Sequence, residues 1–369
     1  MKIKYLDLNH IHTPSVKKKI LKKITNIIDT NSFILGKHVE EFEKKFAKYC
    51  GTKYCVAVNS GTSALLLSLM SLNLPKKSNI VVPAISFVAT AEVIKLLGHN
   101  VIFCDVDCDT YNLNTIHLAD ILDSERVACV IPVHLHGQLC DIKEVVKLCK
   151  RRKITVIEDA CQAHGASLNN KKAGSFGNMG CFSFYPSKNL GAFGDAGAIT
   201  TNNKKSYEKL RILRNHGATK KYYHDTLGIN ARMSNIQGAV LCTKLSDLEK
   251  QREKRVKIAK KYNDRLKDTV ITPLFFKKKH VYHVYAIGCE SKRERDELQS
   301  FLKEKEIDTL IHYPVPLLEH KIFEKDFKYH DIVEAYVSCD TMLSLPLYVG
   351  LTNKEIDYVC SSIKEYYNV

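Results

Sequence analysis

Tryptophan is absent from the chain, and no apolar run approaches the about 20 residues that a bilayer-spanning helix needs. The N-terminal stretch Met1-Lys-Ile-Lys-Tyr-Leu-Asp-Leu-Asn-His10 lacks the unbroken apolar segment of a secretion signal. Together these absences predict a soluble, cytoplasmic protein. Cys-x-x-Cys is missing too: the 13 cysteines are odd in number and irregularly spaced. Cys129 and Cys181 lie in apolar runs, where a thiol behaves as a small hydrophobe. Cys104 and Cys108 with His134 and His136 match no familiar zinc spacing, so reduced, non-ligand cysteines are expected. Acidic residues are the scarcer charge, 40 against 56 basic ones, for a net +16. Nucleic-acid binding is not indicated, because the lysines spread along the whole chain and no recognition-helix or aromatic RNA-binding signature accompanies them. A solvated basic surface, whose field favours anionic substrates, is the simpler reading.

What is present is alternation. Helical periodicity covers residues 15–28 and 39–49, the latter with Phe42 and Phe46 on one face. Short apolar strands are then expected at 55–58, 80–82, 101–103, 127–133, 154–157, 181–185 and 198–201. Helices fit between them at 62–72, 89–97, 116–122, 142–149 and 204–214. Unalternating Val/Ile strands imply burial on both faces, hence an α/β fold with a mostly parallel sheet covered by helices on both faces. Residues 234–267 read as one long charged helix. A smaller α+β domain follows, with an apolar segment at 281–287 and helices at 293–305 and 353–366. The chain is expected to divide into a large domain, 1–245, and a small one, 246–369.

Lys188 stands in Cys181-Phe-Ser-Phe-Tyr-Pro-Ser-Lys188, where an apolar strand runs into a glycine-rich loop. Burial there would lower the lysine pKa and suit it to join an aldehyde and to carry protons. Asp159 closes the strand Ile154-Thr-Val-Ile-Glu-Asp159, and a carboxylate at that place can keep a pyridine nitrogen protonated. Gln162 is near enough to reach a ring hydroxyl, and Phe87, after another strand, to cover a ring face. For a lone Asp or Phe, a polar strand end or a core position serves equally well. Asn59-Ser-Gly-Thr-Ser63 joins a strand to a helix. Gly61, Thr62 and Ser63 there form either a phosphate cradle or an ordinary helix cap, and Ser183 could add a hydroxyl. Lysine, carboxylate and cradle are the three grips that hold pyridoxal 5′-phosphate (PLP). The Gly-x-x-Gly-x-x-Gly spacings at 174–180 and 191–197 fit neither a dinucleotide fingerprint nor a Walker loop, and are expected to turn the backbone around Lys188. His134 and His136 are read as loop packing in preference to metal ligands.

Four blocks in order carry a resemblance: Asn59-Ser-Gly-Thr-Ser-Ala-Leu65, Glu158-Asp-Ala-Cys-Gln-Ala-His-Gly165, Ser183-Phe-Tyr-Pro-Ser-Lys-Asn-Leu-Gly191 and Arg232-Met-Ser-Asn-Ile-Gln-Gly238. Nearly end to end, the chain resembles the DegT/DnrJ/EryC1/StrS sugar aminotransferases, fold-type-I PLP enzymes. The resemblance implies that Lys188 bonds the cofactor, Asp159 meets its ring nitrogen and Gln162 its ring hydroxyl. It also implies phosphate contacts from Gly61, Thr62 and Ser183, with Phe87 near the ring. Asn235 would reach the phosphate of a neighbouring subunit in a homodimer with shared active sites. Family dehydratases carry histidine in place of the lysine, so Lys188 argues for amino transfer. L-glutamate is the implied donor and a nucleotide-linked keto sugar the acceptor, with Tyr185, His312 and Tyr313 as candidate substrate contacts. The blocks around Lys188, His134 and His312 look like members that aminate C3 of nucleotide-linked 3-keto-6-deoxyhexoses, dTDP-3-keto-6-deoxyhexose being the expected acceptor, whereas Arg232-Met-Ser-Asn235 is also usual in C4-aminating members. A catalytically silent PLP-binding regulator is the rival of a different class.

Overall fold

The computed structural model describes residues 1–324 and 331–369. Helix α1 (Pro14–Asp29) starts where the Thr13 hydroxyl accepts from Val16 N–H and Pro14 occupies the first turn, in which a missing N–H costs nothing. Helix α2 (Lys37–Cys50) buries Val39, Phe42 and Phe46 at helical spacing. There follow β1 (Tyr54–Val58), α3 (Gly61–Ser71), β2 (Asn79–Pro83), α4 (Ala89–Leu96), β3 (Asn100–Cys104), α5 (Thr115–Ser124), β4 (Val127–Val130), α6 (Ile142–Arg151) and β5 (Thr155–Asp159). A small hairpin, β6 (Ser167–Leu168) with β7 (Lys171–Lys172), precedes β8 (Met179–Ser183), β9 (Gly197–Thr201) and α7 (Lys204–Leu213). A second hairpin, β10 (Ala218–Lys220) with β11 (Tyr223–His224), leads to α8 (Asn235–Leu245).

The central sheet has the order β1-β9-β8-β5-β4-β2-β3. Strand β9 is antiparallel to both β1 and β8, and the other pairs are parallel. Separate apolar clusters cover the sheet, one around Leu65, Val93 and Ile131, others around Phe42, Phe46 and Phe184 and around Ile121 and Val145. The α/β reading therefore holds, with single-residue differences at most element ends. Strand β4 stops at Val130, short of the expected 133, and Val133 instead bridges to Asp159.

The long helix expected over 234–267 is two helices, α8 and α9 (Leu248–Leu266). Ser246 and Asp247 break it: the Ser246 hydroxyl donates to the Thr243 carbonyl at 3.0 Å, and short side chains of this kind compete with the helix backbone. We propose this turn as the domain junction. Beyond it lie β12 (Tyr285–Gly288), α10 (Lys292–Glu304), α11 (Glu334–Thr341), β13 (Met342–Leu345) and α12 (Asn353–Tyr366). Of the apolar segment 281–287, only its end is strand. Its first part straps the loop after β4, with Val281 N–H on the Gly137 carbonyl and Val284 N–H on that of His136, at 2.9 and 3.2 Å. The small-domain core gathers Tyr262, Tyr285, Leu298 and Ile356 and takes Ile3 from the N-terminus, whereas Leu317, Phe323 and Cys339 pack back on the large-domain core. Among the described residues no helix is long and apolar enough to cross a membrane.

Candidate active site

Asp159 and Ser183 close β5 and β8, parallel neighbours in which Asp159 lies opposite Cys181. Gly197 opens β9 between the ends of β1 and β8, opposite both Val58 and Ser183. Only glycine fits, since a Cβ at 197 would stand 2.2 Å from the Ser60 carbonyl oxygen. The start of α3 is thereby drawn against Ser183. A Cβ on Gly61 would meet Ser183 Cβ at 2.7 Å, so glycine lets the first turn of α3 pack against Ser183, and the two form a cradle on one wall of a cavity at a helix N-terminus, where N–H groups favour an anion.

These strand ends open on a cavity of about 510 Å³. Gly61, Thr62 and Ser183 line it, as do Asp159, Gln162 and Lys188. Phe87, Tyr185 and Tyr313 line it as well, the Phe87 and Tyr313 rings lying 6.4 Å apart. Burial lowers the Lys188 pKa, with Cys161 and Asp159 opposing the shift. The Lys188 backbone is set by a turn in which its N–H donates to the Tyr185 carbonyl at 2.8 Å. A basic cleft of about 560 Å³ between α1, α2 and α8, lined by Lys19, Lys22, Lys23 and Lys45, shares none of these groups.

The carboxylate of Asp159 is aimed by its neighbours. Thr90 donates to one oxygen at 2.8 Å and the Cys161 N–H to the other at 3.1 Å. Ser86 and Thr90 share a further bond at 2.7 Å, which orders the Thr90 hydroxyl. Gln162 accepts the His136 N–H at 2.7 Å and donates to the Tyr313 hydroxyl at 3.3 Å. Thr90 and Cys161 were not singled out from the sequence. Only their places, one turn after Phe87 and two residues after Asp159, could have marked them. Ser60, Ser187 and Asp195 also line the cavity and were likewise missed.

Two contacts expected of this chain's own cavity fall outside it. Ser63 is drawn into the α3 cap, its N–H and hydroxyl both meeting Ser60 Oγ at 3.0 Å, so the cradle and the cap coexist on different residues. His312 lies behind Tyr313, its Nδ1 bonded to Ser344 Oγ at 3.0 Å. Asn235, 1% exposed, spends its amide within the chain, donating to the Ser32 carbonyl at 2.8 Å and accepting from His38 N–H at 3.0 Å. The glycines at 174 and 177 serve Glu158 instead of turning the chain about Lys188. The fully buried Glu158 carboxylate accepts from the N–H groups of Gly174, Phe176 and Gly177 at 2.8, 2.6 and 2.7 Å. His134 Nε2 also bonds Glu158, at 3.0 Å, in agreement with its reading as loop packing.

The residues present fit PLP on three counts. A desolvated amine can join an aldehyde, an oriented carboxylate can meet a ring nitrogen, and the α3 N-terminus with Gly61, Thr62 and Ser183 on the cavity wall can take the phosphate. Comparison with known proteins agrees with this chemistry. Residues 14–364 match the DegT/DnrJ/EryC1/StrS aminotransferase family. A pleiotropic regulatory protein of Geobacillus stearothermophilus is 35% identical over 373 residues, covering 100% of this chain and 99% of its own. A dTDP-3-amino-3,6-dideoxy-alpha-D-galactopyranose transaminase of Aneurinibacillus thermoaerophilus is 35% identical over 370 residues, covering 99% of each chain. In structure the chain is similar to a DegT DnrJ EryC1 StrS aminotransferase from Brucella abortus, with a TM-score of 0.95, 32% identity and 100% of both chains covered. Fold, cavity and sequence match converge: the chain belongs to the DegT/DnrJ/EryC1/StrS aminotransferase family.

Proposed function

We propose that the protein transfers an amino group from L-glutamate to a nucleotide-linked keto-deoxysugar, with dTDP-3-keto-6-deoxyhexose as acceptor and dTDP-3-amino-3,6-dideoxyhexose as product. The observation that carries the reading is the convergence of Lys188, Asp159 and the Gly61–Ser183 cradle on one cavity. Bound PLP supplies an electron sink for the pair of electrons left when a proton departs the amine-bearing carbon. Asp159, fixed by Thr90 and the Cys161 N–H, would hold the proton on the ring nitrogen. Lys188 Nζ, its charge disfavoured by burial, would take and return the carbon-bound proton. Gly61, Thr62 and Ser183 would hold the phosphate, and Phe87 would shield one ring face from water. Tyr185, half exposed at the cavity, and Tyr313 would meet the sugar nucleotide. The +16 charge favours approach of a diphosphate-linked substrate.

Two other readings have support. Amination at C4 is favoured by the Arg232-Met-Ser-Asn235 block, and a regulator that binds PLP without turnover by the name of the Geobacillus relative. Incubating purified protein with L-glutamate and 3-keto or 4-keto nucleotide sugars, then locating the new C–N bond by NMR, separates all three. Nitrogen at C3 is expected. Nitrogen at C4 moves the assignment, and bound cofactor without any product defeats the enzymatic reading.

A further inference from the structure

His136 is buried, 4% exposed, and holds a backbone conformation unusual for a side chain larger than glycine, with φ at +57°. Such a conformation costs of order 1 kcal/mol and persists only where the surroundings impose it. Its bonds identify what those surroundings are. The N–H of His136 donates to Gln162 Oε1 at 2.7 Å, and its Nε2 meets the carbonyl of His312 at 3.0 Å. A carbonyl only accepts, so Nε2 carries the proton. Burial drives the imidazole pKa down to about 4, which keeps the ring neutral and this tautomer in place near neutral pH. Its own carbonyl accepts the Val284 N–H at 3.2 Å, and its ring packs edge-on to Tyr111, with centroids 5.8 Å apart.

The backbone and ring donors of His136 thus end on Gln162, which lines the cavity, and on His312, whose neighbour Tyr313 lines it. Fixing Gln162 Oε1 turns the other amide atom, Nε2, toward the Tyr313 hydroxyl at 3.3 Å. Fixing the His312 carbonyl sets the peptide from which Tyr313 projects. The segment is anchored at both ends as well, since His312 Nδ1 shares a bond with Ser344 Oγ at 3.0 Å and, just beyond it, Leu317 N–H donates to the Ala84 carbonyl at 2.8 Å. Removing the imidazole would release the Tyr313 end of the Gln162–Tyr313 pair, while the backbone N–H at position 136 keeps its hold on Gln162.

We infer that His136 is a positioning residue, which couples the loop after β4 to the segment 311–316 and so places Gln162 and Tyr313 over the cofactor and substrate. The inference rests on the proposed function for what Gln162 and Tyr313 touch, and on geometry alone for the coupling. A positional error of about 1 Å at reacting groups costs on the order of a hundredfold in rate, so the effect should fall on turnover.

The test uses the full-length, PLP-loaded protein with His136→Phe, which keeps a ring against Tyr111 but lacks the Nε2 donor, and His136→Gln, which restores a donor at similar reach. His136→Phe is expected to lower kcat by about tenfold to a hundredfold while KM for glutamate changes less than about threefold. It should also shift the pH midpoint of the cofactor's visible absorption and weaken PLP binding in titrations of the cofactor-free protein. His136→Gln should recover most of each loss. Adding Tyr313→Phe to His136→Phe should cost less than the two single effects combined, because both act on the Tyr313 end of the same pair. A His136→Phe protein that melts earlier but keeps wild-type kcat, absorption midpoint and PLP affinity would overturn the inference, leaving a merely structural role. Wild-type protein that shows no cofactor absorption would overturn the underlying reading of the site, a failure distinct from the first.

Discussion

Lys188 concentrates the conflict between stability and chemistry at a single side chain. Burial lowers its pKa from 10.5, so the folded protein releases a proton that the unfolded chain retains. That penalty is full below the lowered pKa and disappears as pH rises toward 10.5. Lys188→Met, which removes the charge at similar volume, is therefore expected to raise the melting temperature of the cofactor-free protein at neutral pH, with the gain fading in alkaline buffer. The same variant should lose turnover by about a thousandfold or more, since no other amine replaces it as base and nucleophile. Thermal melts over pH and a coupled glutamate assay check both halves. A stability gain that grows with pH would contradict the sign. At the cradle, Gly61→Ala puts a Cβ 2.7 Å from Ser183 Cβ, and overpacking of that kind costs about 1–3 kcal/mol. PLP affinity should drop by about tenfold to a hundredfold, as measured by fluorescence titration, with the fold retained by circular dichroism.

At the scale of elements, the loop between β7 and β8 depends on one acid. Glu158 ties Gly174, Phe176 and Gly177 to β5 while pairing with His134 from the loop after β4. Glu158→Ala leaves one buried and two part-buried N–H donors and a buried imidazole without their acceptor. Breaking a buried pair of this sort costs about 3–5 kcal/mol, so a clear drop in melting temperature is expected, together with weaker cofactor retention because Asp159 is the next residue. A melting temperature equal to wild type would show that water replaces the carboxylate freely. This is also the scale at which the sequence reading misplaced functions. In the sequence Glu158 reads only as the neighbour of Asp159, because its partners lie 16 to 24 residues away. Helix periodicity located α12 to the residue, yet the same periodicity ran through Ser246–Asp247, because apolar spacing does not register a local side-chain competitor for backbone bonds.

For the whole molecule, we propose a homodimer. Phe33 and Ile34 are 43% and 58% exposed on a loop that the buried Asn235 amide staples through Ser32 and His38. Two apolar side chains displayed by a buried polar clamp suit a subunit contact better than solvent. Asn235→Ala removes the staple, and sedimentation velocity should then show a shift from twice the 41.9 kDa chain toward the monomer, with PLP affinity falling alongside. A variant that stays dimeric and keeps its cofactor would mean that Asn235 only stabilises its own loop.

The chain by itself determined the strand–helix alternation, the parallel character of the sheet and the identities of the lysine, carboxylate and glycine at the site. Each of these is written in local apolar periodicity or in a side chain that tolerates few alternatives. What touches them was decided only in three dimensions. Thr90 reaches Asp159 across 69 positions and Gln162 reaches Tyr313 across 151, separations over which no periodic pattern carries information. Such partners are selected by the twist and order of the sheet, which bring strand ends together, and by the need of every buried donor and acceptor to find its counterpart once water has gone.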